Sequence, residues 1–161
     1  MAQALQRASW IWRRGEAGQD EFCDFLATVA IPEVGKRYFL HIASDSNYTV
    51  WMNGQLCAFG QYADYPDYKV YDRVEITDIL RAGLNRMVTV VWYYGIESQT
   101  YKVGDAGLIY EVENAAGEVV VCTDESTLSR KSLDYVSGRG DLISGQLGPT
   151  YRYNLRNYDG F

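Results

Sequence analysis

The sequence predicts an all-β protein, an antiparallel β-sandwich of the jelly-roll kind, and three observations carry that prediction. Apolar and polar residues alternate with period two through most of the chain, the spacing of side chains on a half-buried strand. The alternating runs are short and divided by turn-rich segments such as PEVG, SDSN, AGLN and NAAGE. No run of helical periodicity is long enough to compete with them, and many short strands without helices close best into a sandwich.

Taken in order, the expected strands are SWIW at 9–12, EFCDFLATVAI at 21–31 and RYFLHIAS at 37–44. The central stretch NYTVWMNGQLCAFG, 47–60, sets Asn53-Gly54 between two apolar runs. Both residue types tolerate the positive φ of a type I′ turn, so a two-residue hairpin forms there, with Tyr48, Val50 and Met52 on one face and Thr49 and Trp51 on the other. VYDRVEI (70–76), RMVTVVWYY (86–94), GLIYEVE (107–113), EVVVCT (118–123) and PTYRY (149–153) complete the set. ITDILRAGLN carries the one helical hint, a single turn capped by Thr77 or Asp78 and ended at Gly83. Residues 126–148 are the least patterned and read as a long surface connection, and the Arg-Gly-Asp at 139–141 within them reads as a plain turn.

At 161 residues without a break in composition, the chain is expected to be one domain, 1–161. Its net charge of −6, without a basic block, argues against nucleic acid as a partner. No run approaches the roughly twenty apolar residues that span a bilayer, and MAQALQRASW lacks a basic region followed by an apolar one. The expectation is a soluble chain without a membrane partner, either cytoplasmic or exported as part of a larger bacterial enzyme. Cys23, Cys57 and Cys122 sit singly in apolar runs and read as buried free thiols, with at least one unpaired because the count is odd. His41, alone of its kind, reads as a strand residue rather than a base, and a histidine-rich metal site is excluded by count.

Glycoside hydrolysis needs two carboxyl groups held across a bond, and the 21 acidic residues fall mostly in turns or on polar strand faces, so no catalytic residue is assigned. Sugar binding asks for aromatic faces flanked by planar polar groups. QYADYPDYKVYD and VVWYYGIESQTY are dense in both. The candidate carbohydrate-binding residues are therefore Tyr62, Asp64, Tyr65, Tyr68, Trp92, Tyr93, Glu97 and Gln99, expected to meet at one end of the sandwich. Closure of that end or packing against another domain is the structural alternative for the same aromatics. No cofactor is required; calcium is the candidate ion, with oxygen ligands from Asp45, Asn47, Asp64 or Asp67.

The succession SWIW, NYTVWMNG, Gly60, a Tyr-rich loop and YDRVEITDILRAGLNRMVTVVWYYG resembles the amino-terminal β-sandwich of bacterial α-L-rhamnosidases of glycoside hydrolase family 78. The resemblance covers roughly residues 9–123 and extends to YRYNLRNYDGF, which is similar to a Tyr-Asp-Ala-Arg segment of that family. VWMNG and the L-x-x-G-x-N segment are shared with other galactose-binding-like jelly rolls attached to glycosidases. After Gly60 the family continues with Pro and an Arg-Gly-Asp-like stretch where this chain has QYADYPDYKVYD. The resemblance implies a galactose-binding-domain-like fold and a catalytic (α/α)6 domain beyond Phe161 as partner, making this chain a non-catalytic accessory domain of a larger enzyme. Support of the catalytic domain, an independent carbohydrate-binding module for a rhamnose-containing sugar, and an autonomous enzyme are the readings it leaves open.

Overall fold

Period-two alternation is realised as strands wherever it runs six residues or more. The structure, a computed structural model, describes residues 4–33, 35–60, 65–138 and 141–160. Its strands are β1 (Glu21–Ile31), β2 (Tyr38–Asp45), β3 (Asn47–Met52), β4 (Gln55–Gly60), β5 (Asp72–Glu75), β6 (Gly83–Tyr93), β7 (Gly107–Asn114), β8 (Val119–Cys122), β9 (Leu128–Lys131), β10 (Leu142–Ser144) and β11 (Gly148–Pro149). One sheet has the order β4-β3-β6-β1-β9 and the other β5-β2-β7-β8, all neighbours antiparallel, with β10 and β11 as a separate hairpin. Consecutive strands repeatedly change sheet, as a jelly roll requires.

The core lies between the sheets, where Phe25, Val29, Ile31, Val50, Met52, Met87 and Val91 face Leu40, Ile42, Leu108, Tyr110 and Val112. The hairpin behaves as its sequence requires. Asn53 and Gly54 both have positive φ, 54° and 80°, and Tyr48, Val50 and Met52 are buried while Thr49 and Trp51 are half-exposed. An extra residue in β4, Cys57, bulges the pair between Val50 and Trp51.

Four expectations change in the structure. Residues 9–12 do not extend a ladder: Ile11 alone bridges to Leu108, because Trp12 turns against Phe25 and Tyr93 at ring distances of 5.8 and 6.0 Å and closes the sandwich. The helical hint is one 3₁₀ turn, Thr77–Ile79, preceded by Ile76 with no side-chain cap. Thr77 Oγ1 instead accepts from the Tyr38 amide at 3.0 Å, and Gly83, at φ 88°, opens β6 rather than ending a helix. Residues 126–148 contain β9, an edge strand too polar to show alternation, and β10, which at three residues is too short to show it. Of 149–153 only Pro149 is in a ladder, since proline has no amide to continue one, and Tyr153 bridges to Tyr135. Arg139 and Gly140 lie outside the described residues, as do Tyr62 and Asp64.

The outer face of the second sheet is covered as well, so all eight residues of β2 are buried. Glu111 receives the backbone N–H groups of Leu5 at 2.8 Å, Ala8 at 2.9 Å and Arg7, which straps the amino-terminal segment across that face. Beside it Arg73 lies 3.5 Å over the Phe39 ring, and His41 Nε2 meets Glu113 Oε1 at 2.8 Å. His41 is thus a buried, partnered strand residue, as its position suggested.

Candidate functional site

Lys69 of the first tyrosine-rich segment and Tyr101 of the second meet at a buried carboxylate. Asp45, fully buried at the end of β2, accepts from Lys69 Nζ at 2.9 Å, from Ser46 Oγ at 2.9 Å and from the Tyr101 hydroxyl. A Cβ at Gly104 would lie 2.6 Å from Asp45 Oδ2 and 3.3 Å from Pro66, so only glycine lets these loops close. Tyr93 donates to Gly104 O at 2.9 Å, and Tyr94 packs edge-on to Tyr101. Burial pushes the Tyr94 hydroxyl up to about 12. Tyr93 is thus built into the sandwich end. Tyr65 and Tyr68 are exposed, Glu97 makes an exposed 3.5 Å pair with Lys102, and the Gln99 amide donates to Gly145 O. Asp45 is thus paired with the Lys69 ammonium, and among the described residues no three His, Cys, Asp or Glu side chains converge on one point.

Trp92 points elsewhere, onto the outer face of the five-stranded sheet, where register stacks three rows of side chains. Asn47, Trp92 and Phe22 form the first row, Thr49, Val90, Asp24 and Arg130 the second, and Trp51, Val88 and Leu26 the third. The carboxy-terminal segment crosses this face. Val136 N donates to Arg152 O at 2.9 Å, Asn154 N to Asp134 O at 2.8 Å, and Arg130 clasps Asp159 with two bonds of 2.6 and 2.8 Å. Phe22 stacks between Trp92 and Tyr135 at 4.9 and 4.7 Å, and Tyr151 and Tyr153 pack edge-on and tilted against that stack.

Between sheet and strap lies a groove of about 600 Å³, floored by Val88 and Val90 and walled by Trp51, Tyr135, Tyr151, Tyr153 and Tyr158. A second hollow of about 300 Å³ continues it past Tyr151 towards Trp92, Asn47 and Phe59. Its charged groups are Asp24, Asp134, Asp159, Arg86 and Arg130. Each carboxylate is held by donors: Asp134 by Ser132 Oγ and the Tyr153 hydroxyl, both at 2.7 Å, Asp159 by Arg130, and Asp24 by Arg130 Nε at 3.1 Å. Burial pushes the Asp24 carboxyl above the usual range, opposed by the Arg130 guanidinium, which favours the carboxylate. The same cause lifts the Tyr153 hydroxyl to about 12. The arrangement offers aromatic faces and fixed hydrogen-bonding groups.

Of the described sequence candidates only Trp92 lines these hollows, in the second of them, and the groove adds Asp24, Trp51, Arg86, Arg130 and the carboxy-terminal tyrosines. Only the tyrosine density of PTYRYNLRNYDGF hinted at it in the sequence.

No family model and no curated protein matches the sequence. Solved structures do match. The chain is 26% identical, at a TM-score of 0.85, to a family 78 rhamnosidase of Bacillus sp. GL1, covering 97% of this chain and 17% of that one. It is similar in fold to an α-L-rhamnosidase of Streptomyces avermitilis complexed with L-rhamnose (23% identity, TM-score 0.63, 81% of this chain and 13% of that). A lectin of Pleurotus ostreatus shares the fold at 23% identity and a TM-score of 0.60, over 94% of this chain and 42% of the lectin. The chain thus is similar in fold to the β-sandwich of these rhamnosidases, the likeness its motifs suggested, and spans less than a fifth of the length of each.

Proposed function

We propose that the chain is a non-catalytic accessory domain of an α-L-rhamnosidase-like glycoside hydrolase, one that supports the catalytic (α/α)6 domain of a longer chain and contacts carbohydrate. The observation that carries this reading is the likeness to the Bacillus rhamnosidase, which takes in nearly all of this chain and 17% of that enzyme. Cleavage of a glycoside needs a positioned acid and a second carboxylate, and in the groove Asp134 and Asp159 are committed to serine, tyrosine and arginine donors, which leaves Asp24 as the one carboxylate of the three with an oxygen to spare. The test is turnover. Incubated with an aryl α-L-rhamnoside, the chain releases no phenol; release that disappears when one of its acidic residues is neutralised would overturn the reading. A second reading, a carbohydrate-binding module with its own sugar site, is favoured by the concave aromatic groove, and calcium is included as one arm when binding is measured.

A further inference from the structure

We infer that the groove on the outer face of the β4-β3-β6-β1-β9 sheet binds a neutral pyranose, with Asp24 as its central acceptor and Trp51 and the strap tyrosines as stacking walls. The inference rests on the carbohydrate contact proposed above and assigns it a place. Asp24 is only 3% exposed, yet its Oδ1 has no hydrogen-bond partner. A hydroxyl carries one proton, and that of Ser132 is spent on Asp134 Oδ1 at 2.7 Å. Arg130 is turned to Asp24 Oδ2 and to Asp159. A buried carboxylate oxygen without a donor is unfavourable, and a ligand hydroxyl would relieve it.

The surroundings select the ligand class. Val88 and Val90 give an apolar floor, and Trp51 stands two strands from Asp24, about 10 Å across the sheet, which leaves room for one or two sugar rings. Arg86 and Arg130 face Asp24, Asp134 and Asp159, an excess of one negative charge that disfavours an anion, and the oxygen left over on Asp24 suits the hydroxyl donor of a neutral ligand. Aromatic faces suit the C–H side of a pyranose, and a fixed acceptor suits its hydroxyls. The site is bipartite. Its floor comes from β1, β3, β6 and β9 and its wall from residues 151–160, joined by the Arg130–Asp159 clasp.

The test is an NMR titration of the labelled full chain with methyl glycosides of L-rhamnose, D-galactose and D-glucose, each with and without calcium. The expected result is saturable shifts at Asp24, Trp51, Val90 and Arg130 with at least one glycoside. Asp24→Asn and Trp51→Ala should each weaken that binding by about tenfold or more. Should Asp24→Asn fail to fold, Trp51→Ala, changed on the half-exposed outer face, decides alone. Saturable shifts confined to Tyr65–Tyr71 and Ser98–Tyr101, with both variants binding like the parent, would overturn the placement and leave the accessory-domain reading standing. No saturable shift with any glycoside would overturn the inference too, while the non-catalytic reading is still judged by turnover.

Discussion

Replacing Asn85 by alanine probes the knot that ties the Asn53-Gly54 hairpin to the rest of the sandwich. Asn85 is fully buried. Its Nδ2 donates to Arg81 O at 2.8 Å, Gly83 O at 3.2 Å and Val29 O at 3.3 Å, and its Oδ1 accepts from Arg81 N at 2.9 Å and Asn53 Nδ2 at 2.8 Å. Asn53 in turn reaches Ile79 O at 3.2 Å, so one amide holds the hairpin tip, the 3₁₀ turn and the start of β6 together. Arg81 and Gly83 are exposed and can turn to water after the change, whereas Val29 is buried and cannot. Counting about 1 kcal/mol for each of the bonds of 2.9 Å or shorter and a fraction more for the two longer ones, the destabilisation is about 3–4 kcal/mol. For a chain of this size that is a fall in Tm of about 6–16 °C. Urea unfolding followed by tryptophan fluorescence, checked by calorimetry, measures it. A loss below about 1 kcal/mol would show that water replaces every one of these bonds and that the knot is not what holds the tip.

Two further expectations follow from ionisation. The Arg37 guanidinium, forked onto Glu75 at 2.6 and 2.9 Å, holds that carboxyl down at about 2. Because the folded value is depressed, the pair's stabilisation is present above the ordinary glutamate range near 4.3 and is lost as pH falls from there through about 2. A carbonyl-carbon NMR titration should place the Glu75 midpoint well below 4, and Arg37→Ala should raise it most of the way to the ordinary range, the Thr77 hydroxyl and Arg73 still holding it slightly down; a parent midpoint near 4.3 would refute the fork. Burial pushes the Cys23 and Cys57 thiols up to about 12 and about 11, so at neutral pH both are protonated and poor nucleophiles. Iodoacetamide should modify the folded chain slowly at these two positions and rapidly in denaturant, read by peptide mass; equal rates in both states would contradict it.

Much of the fold is legible in the sequence because it is local. EFCDFLATVAI is a strand over the same eleven residues that its alternation marks, and Asn53-Gly54 turns the chain where two positive φ values are cheapest. Edges are less legible: LSRK in β9 carries no alternation and becomes a strand only because β1 offers it an unpaired row of N–H and C=O groups. Alternation also says which residues share a face without saying what covers that face. His41 and Glu111 stand at polar positions of β2 and β7, and both are buried once the amino-terminal segment and neighbouring side chains close over them.

The groove shows the same division. That Asp24 shares a face with Phe22 and Leu26 follows from period two, as does the pairing of Trp51 with Thr49. That Asp24 lies beside Val90 and Arg130, under tyrosines more than a hundred residues downstream, follows from strand order and from where the strap is clasped. Strand identity is set by interactions between neighbours in the chain, which the sequence alone displays. The site is set by which strand edges and chain segments find one another, and those pairings exist only once the whole sandwich has closed.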